Sequence, residues 1–525
     1  MPARLFGASL IKATGARKTM ARDHLLAIDQ GTTSTRVVAY DSRLRAVGQG
    51  QAEVPPTYPK PGWVEHDPDA LVDSVGPLVT RALAESGIGA DRIAGIGLTN
   101  QRETTVVWER ATGRAIGPAL VWQDRRTADF CERHRDRRAW ISERTGLVLD
   151  PYFAATKIAW LLDNVPGARR RAEAGELAAG TVDSLLIRHL TGGTRHVTDA
   201  TNASRTLLMD LRSLDWADDL CHFFAVPRGI LPEILPSVGD FGETRGLGYL
   251  PDGLPIRGVA GDQQASLVGQ GCWEEGQAKC TYGTGAFLLV HTGGRVVPST
   301  GGLITTVAAG LDSGPPRYAL EGSVFVAGAA VQWFRDGLKA VGAAPEVDRL
   351  SERADPASGV LFVPALTGLG APHWEPEARG TLFGLTRATS VADLARATLE
   401  SVAFQIADLI DAMNADLPVP LGDLRVDGGM ARSDPFLQFQ ADLLGLPLRR
   451  SPQPESTALG AGLLAGLGVG LWPGPAAAAA LLQEGGQVFE PRSDPAWRSA
   501  ASARWRHAVQ TVRRHYRTEA VRNEN

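Results

Sequence analysis

Short apolar runs alternate with polar or helix-like segments along almost the whole chain. Strand-like runs occur at Leu25–Ile28, Val37–Tyr40, Ile93–Leu98, Val106–Trp108, Ile256–Ala260, Ala286–Val290, Tyr318–Leu320, Val360–Val363 and Leu424–Val426. Between them lie segments with helical spacing. Phe436, Phe439, Leu443 and Leu444 form one such stripe, opened by Ser433-Asp434-Pro435 and stopped at Gly445. This alternation predicts an α/β fold with sheets covered by helices. The Gly/Pro-rich piece Gly246–Gly258 precedes the strand that ends at Asp262, and a domain boundary is expected near Gly269–Gly271. The C-terminal run Ala496–Asn525 is basic and broadly helical, carrying Trp497, Trp505, Val509, Val512 and Tyr516, and is expected to be a solvated outer helix.

The polar positions at the ends of these runs carry the chemistry. Leu25–Ile28 runs straight into Asp29-Gln30-Gly31-Thr32-Thr33-Ser34-Thr35-Arg36 before the next strand begins. The tip of such a hairpin offers N–H groups, hydroxyls and one carboxylate, which suits a polyphosphate and its Mg²⁺. A second hairpin of the same design follows at Thr281-Tyr282-Gly283-Thr284-Gly285, and the pair suggests two related domains closing on one nucleotide. A third strand ends in Gly428-Gly429 ahead of the Ser433 helix start, where bare backbone can approach a ligand. Taken singly, each segment is also compatible with an ordinary Gly-Thr turn or a tight strand–helix packing turn.

Two further strand ends are candidates for a second substrate. Arg102 and Glu103 follow Gly95–Asn100; adjacent residues on a strand point to opposite faces, so both reach one ligand only where the strand stops. There they could bind hydroxyls as donor and acceptor; a surface ion pair reads the same way. Asp262 follows a buried strand and Gly261, which suits a general base for phosphoryl transfer to an alcohol; a helix N-cap or turn Asp is the alternative. Trp122, Tyr152 and Phe287 are aromatics near these segments and, on spacing alone, read as packing residues.

Composition narrows the field. The chain has 525 residues, enough for two or more domains with full cores, and its 44% hydrophobic and 21% charged residues are those of an ordinary globular protein. A net charge of −4 gives no reason to expect nucleic acid. The four cysteines show no metal-ligand spacing and read as buried thiols of a reducing compartment, so a cytoplasmic location is expected. The most apolar stretch, Leu459–Trp472, has fourteen residues with five glycines and is expected to be a close-packed helix and turn, not a membrane span. Residues 1–21 read as an N-terminal extension, disordered or arising from an upstream start ahead of Met20. None of the six lysines follows a glycine, which excludes a G-x-x-x-x-G-K-S/T loop, and no G-x-G-x-x-G occurs. His134-Arg135-Asp136 matches a protein-kinase triplet, but the Asn, Gly-rich loop and D-F-G that should accompany it are missing.

Read together, the segments resemble the FGGY family of carbohydrate kinases over roughly residues 22 to 500. Asp29–Arg36, Trp63–Pro68, Thr99–Thr105, Val121–Thr127, Asp150–Phe153, Thr198–Thr206, Gly261–Gln264, Thr281–Gly285, Phe362–Ala365 and Gly380–Arg387 carry the likeness. The Gln-Arg-Glu-Thr-Thr and Asp-Pro-Tyr-Phe segments resemble the branch acting on glycerol, not those acting on xylulose or gluconate. The resemblance implies two actin-like, ribonuclease-H-like ATPase domains, residues 22–269 for the polyol and 270–525 for the nucleotide, with an active-site cleft between them. It implies Mg²⁺-dependent transfer from ATP to the C3 hydroxyl of glycerol, the first step of glycerol catabolism, by a homodimer or homotetramer without integral membrane association.

By the same resemblance, Arg102, Glu103, Tyr152, Asp262 and Gln263 bind the glycerol hydroxyls, Trp122 and Phe287 pack on its carbons, and Asp262 is the base. Asp29 helps hold Mg²⁺. Thr32, Thr33, Ser34, Arg36 and Thr284 meet the phosphates, while Gly328, Gln332, Gly429 and Ser433 line the nucleotide side. The chain departs from the family in three places. Ser433 stands where many relatives have Asn. Arg212 precedes the Leu214-Asp215-Trp216 segment where some bacterial relatives carry a phosphorylatable His, so that regulation is not expected. The loop Gly246–Ile256 does not match the Gly-rich, Arg-bearing loop that binds fructose 1,6-bisphosphate in enterobacterial relatives.

Overall fold

The computed structural model describes residues 22–311, 314–453, 455–482 and 486–523, with side chains through Arg517. The extension predicted at residues 1–21 and the extreme end of the C-terminal run lie outside the described residues.

Two sheets organise the chain. The first contains β1 (His24–Gln30), β2 (Ser34–Tyr40), β3 (Ala46–Glu53), β4 (Ile93–Asn100) and β5 (Ile256–Gly261), in the order β5-β4-β1-β2-β3. The β1–β2–β3 meander is antiparallel, whereas β4 and β5 join parallel to β1. The second contains β6 (Ala278–Tyr282), β7 (Ala286–His291), β8 (Ile304–Val307), β9 (Tyr318–Val324), β10 (Leu424–Gly428), β11 (Leu448–Arg450) and β12 (Gln487–Phe489). Its order is β8-β9-β7-β6-β10-β11-β12. Within it, β6–β7–β9 repeats the antiparallel meander, and β10 and β11 repeat the parallel extension. Each half of the chain therefore builds the same five-strand ribonuclease-H-like unit, and the second adds an edge strand on either side.

The burial of β1 explains its central place. Leu26 and Ile28 point with Val37 and Ala39 into a core closed by the helices Pro68–Asp73 and Val75–Ser86. Leu25, Ala27, Val38 and Tyr40 face the other way and meet Ala458, Ala461 and Leu464. A strand covered on both faces reads as a continuous apolar run. The second covering helix, Ser456–Gly468, comes from the far half of the chain, so the later sequence completes the first domain's core.

That helix is apolar on every side because it is enclosed on every side. It crosses α1 (Asp262–Gly269), the segment linking β5 to the second domain, at very short range. A Cβ on Gly460 would overlap the Ala265 carbonyl, and one on Gly269 would overlap that of Ser456. The helix that leaves the first sheet for the second and the helix that returns to it from the second sheet thus meet backbone on backbone.

In the second domain, the 26-residue helix Val391–Asp416 starts on a capping box of Ser390 and Asp393 and packs beneath the sheet. The predicted Ser433 helix is Asp434–Leu444, with Ser433 as N-cap and Gly445 in the left-handed conformation at its end. The C-terminal helix Pro495–Asn523 is not solvated all round: Trp505, Val509 and Val512 are buried. Trp505 stacks on Phe404 at 5.1 Å and donates to Asp408 at 2.7 Å. No helix among the described residues is long and apolar enough to cross a membrane.

Candidate active site

The ends of β4 and β5 on the first sheet meet the middle of β9 on the second, and their polar groups form one charged cluster. β4 stops at Asn100, and Glu103 takes a positive φ of 62°. This sparsely populated conformation for a non-glycine residue turns the chain so that Arg102 and Glu103 both join the cluster. Arg102 Nη1 and Nη2 donate to Oε2 and Oε1 of Glu321 at 2.7 and 2.9 Å, and Nη1 also donates to Gln264 at 3.1 Å. Its Nε lies 3.2 Å from Asp262 and 3.8 Å from Glu103. Arg205 completes the set, donating from Nε to Glu103 at 2.6 Å and from Nη2 to Glu321 at 3.1 Å.

Burial penalises the enclosed charges of this cluster, and pairing opposes it to different degrees. Burial pushes the Glu321 carboxyl up, but Arg102 and Arg205 overcome it and hold the group at about 2. Glu103 remains above its ordinary value because burial outweighs Arg205 and Arg102. The side chains of Arg102, Glu103, Arg205 and Glu321 are at most 2% exposed, whereas that of Asp262 is 29% exposed. Asp262 is therefore the most open member of the cluster. It opens α1, with Gly261 as N-cap, and its Oδ1 also accepts the Gln263 N–H at 2.7 Å.

Asp29, near the end of β1, is half-buried. Burial, then the negative field of Asp262, raises its carboxyl to about 7 against the pull of Arg36. A half-buried acid in the field of another carboxylate suits a divalent cation. Mg²⁺ commonly takes one or two carboxylates and fills its remaining positions with phosphate oxygens and water.

An aromatic corner flanks the cluster. Trp122 meets Tyr152 edge to face at 5.6 Å, and its Nε1 donates to Thr32 Oγ1 at 2.8 Å. Phe287 projects from β7 on the second domain, against Leu267 and Leu289. Behind Tyr152, the enclosed Lys157 donates to the Tyr152 carbonyl at 2.7 Å, and burial lowers its ionisation to about 7. Gln263 accepts from Lys279 Nζ at 2.5 Å, so a second-domain lysine supports it.

The nucleotide-side residues fall into two groups. Thr33, Thr284, Gln332 and Gly429 are exposed. Thr284 and Gly328 form one unit: the carbonyls of Gly283 and Thr284 accept from Ala327, Gly328 and Ala329, bracing the second hairpin against the start of Gly328–Gln332. Gly428, at φ 89°, lets β10 pass against the Tyr282 carbonyl, where a Cβ would overlap it. Other residues already have partners. Arg36 pairs with Glu455 and donates to Gln51 at 2.8 Å, and Ser34 accepts from Gln51 at 3.2 Å. Ser433 caps its helix and donates to Asp348 at 2.7 Å.

Sequence reasoning gave no role to Glu321, Arg205, Gln264, Lys279 or Lys157. Arg205 stood within a family segment and Lys279 in the second hairpin strand, so both were visible. Glu321 had one available signal, a carboxylate in the midst of an apolar strand; the predicted strand stopped at Leu320, one residue short of it, whereas β9 runs on to Val324.

Two facing ribonuclease-H-like domains, with a hairpin tip in each and a polar cluster between them, define a two-domain kinase of the actin-like class. The family models agree. Residues 24–269 match the N-terminal domain and residues 278–469 the C-terminal domain of the FGGY family of carbohydrate kinases. The chain belongs to the FGGY family of carbohydrate kinases. It is 55% identical to a glycerol kinase of Methylobacterium nodulans over 92% of this chain and 97% of that protein. It is 51% identical to a glycerol kinase of Deinococcus radiodurans over 93% and 97%. Among solved structures, Plasmodium falciparum glycerol kinase with ADP is similar with a TM-score of 0.88 and 37% identity, covering 94% of this chain and 98% of that one. A xylulose kinase from Rhodospirillum rubrum, at 24% identity and a TM-score of 0.82, shares the fold.

Proposed function

We propose that this chain transfers the γ-phosphoryl group of ATP to the C3 hydroxyl of glycerol, giving sn-glycerol 3-phosphate and ADP. The observation that carries the reading is the cluster around Arg102, with a partly open Asp262 at its edge and the Trp122–Tyr152 corner beside it. The similarity to glycerol kinases over more than nine-tenths of the chain supports the same substrate. Glycerol has almost no apolar area, so directed hydrogen bonds must select it, and a wrong acceptor leaves buried polar groups unpaired.

In this reading Arg102, Glu103, Tyr152 and Gln263 engage the hydroxyls, and Trp122 and Phe287 limit the length of the acceptor. Asp262 accepts the C3 hydroxyl proton as the oxygen attacks, a contribution typically worth about 10²–10⁴-fold. The tips carrying Thr32, Thr33, Ser34 and Thr284 offer donors to the phosphates. Gly328, Gln332, Gly429 and Ser433 border the nucleotide, and Arg36 reaches a phosphate only by exchanging its present partners. Mg²⁺ fits beside Asp29 and would neutralise charge on the transferring phosphates. Closure of the domains excludes water, suppressing transfer of the phosphoryl group to it.

A reducing, cytoplasmic setting is consistent with the four unpaired, buried cysteines, and family likeness favours a homodimer or homotetramer, testable by light scattering. The activity itself is tested by ADP release from Mg·ATP with glycerol, dihydroxyacetone, erythritol, xylulose or no acceptor. Strongest release with glycerol supports the proposal. A preference for a longer acceptor overturns the substrate, and acceptor-independent behaviour overturns the kinase reading.

A further inference from the structure

Glu321 belongs to the second domain, yet its carboxylate organises the first domain's part of the site. In the β7–β9 register Leu289 lies opposite Glu321 and Phe287 opposite Ser323, so Glu321 shares the cleft-facing side of the sheet with Phe287. From there each carboxylate oxygen takes one arm of the Arg102 fork, at 2.7 and 2.9 Å. The oxygen that takes Nη2 of Arg102 also accepts from Arg205 at 3.1 Å, and Arg205 in turn holds Glu103 at 2.6 Å. Two residues assigned to acceptor binding are thus fixed by one group from across the cleft, Arg102 directly and Glu103 through Arg205.

The alternatives left to Arg102 explain why this matters. Its other carboxylate neighbours are Asp262 at 3.2 Å and Glu103 at 3.8 Å. Without Glu321 the guanidinium would turn to Asp262, the group assigned to take the proton, or to Glu103, the group assigned to accept a hydroxyl. A bidentate partner in Glu321 engages both Nη arms of the fork, so neither is drawn to Asp262 or Glu103.

We propose that Glu321 is a positioning residue for the acceptor site, setting Arg102 and Glu103 so that the pocket is complete only while the second domain is docked on the first. This rests on the polyol-kinase reading and adds a residue and a coupling to it. Lys279, on β6 of the same sheet, supports Gln263 from the same side, so the second domain braces the acceptor pocket at a second point.

The test is steady-state kinetics of Glu321→Gln, which keeps the side-chain length and removes the charge. The KM for glycerol is expected to rise about tenfold or more while the KM for ATP stays within about threefold. Glu321→Asp, which keeps the charge and withdraws the carboxylate by one methylene, is measured alongside. It guards against loss of the folded Gln variant, and it is expected to give the same split at smaller amplitude. A folded variant with an unchanged glycerol KM, or with both KM values rising together, would overturn the proposal. Wild-type protein without glycerol-dependent ADP release would overturn the polyol reading and this proposal with it; an active wild type with an unmoved variant would overturn only the proposal.

Discussion

Replacing Lys157 by Met should make the protein more stable at pH 6, by an amount that shrinks as the pH rises. Lys157 lies in the helix Ala154–Asn164 with its ammonium fully enclosed. It donates to the Tyr152 carbonyl at 2.7 Å and reaches that of Val121, the residue before Trp122, at 3.5 Å. Burial lowers its ionisation from 10.5 to about 7, with Glu103, Asp124 and Asp150 opposing the fall. A fall of that size corresponds to about 5 kcal/mol of preference for the neutral amine. Below pH 7 the folded and unfolded chains both carry the proton, and the fold bears the full penalty. Between about pH 7 and 10.5 the unfolded chain binds more protons, so wild-type stability rises by about 1.4 kcal/mol per pH unit.

Met removes the charge but takes the lysine donor from the Tyr152 carbonyl, while that of Val121 keeps the Asp124 N–H at 2.9 Å; the lost partner costs about 1–3 kcal/mol. The variant should therefore be about 2–4 kcal/mol more stable at pH 6, and this advantage should shrink by about 3 kcal/mol between pH 7 and 9. Urea unfolding of both proteins at pH 6 and pH 9 measures the difference. An advantage that is the same at both pH values would refute the reasoning, as would a variant less stable at pH 6. Activity should move the other way: kcat/KM for glycerol should fall, because the aromatic corner loses its backbone anchor.

Three other outcomes follow from the site and the helix crossing. Asp262→Asn can still accept from Arg102 and the Gln263 N–H, so the glycerol KM should stay within about tenfold while kcat drops by about 10² or more; kcat within tenfold of wild type would remove Asp262 from the base role. Asp29→Asn should raise the Mg²⁺ concentration needed for half-maximal activity, and an unchanged titration curve would exclude Asp29 as a ligand. Gly460→Ala forces a methyl onto the Ala265 carbonyl where the two linking segments cross, and should lower stability by about 1–3 kcal/mol in thermal unfolding; an unmoved midpoint would contradict so tight a crossing.

What could be read from the sequence was local. The β1–β2 and β6–β7 hairpins are each a short apolar run, a polar tip and a second run, and the Ser433 helix carries its start and stop signals within thirteen residues. Arg102, Glu103 and Asp262 could be singled out because each follows the end of a strand. The unreadable part depends on pairings between distant segments. Glu321 acts on Arg102 from 219 residues away, and its own neighbours in sequence look like those of a buried strand. Lys157 looks like an ordinary helix residue until its enclosure is known. The place of Ser456–Gly468 on the first sheet was also hidden, because an apolar helix announces that it is buried and not against what. Arg36 illustrates the reverse: its position in a phosphate-type hairpin suggested a ligand contact, while Glu455, which pairs with it, lies more than four hundred residues on in the sequence.

The most direct test of the central claim follows the phosphoryl group itself. Purified protein is incubated with γ-labelled ATP, Mg²⁺ and glycerol, and the product is assayed with a dehydrogenase specific for sn-glycerol 3-phosphate. Label recovered in sn-glycerol 3-phosphate, in one-to-one ratio with ADP, is the predicted result. Label found only in inorganic phosphate, or in an ester that the dehydrogenase does not oxidise, would contradict it.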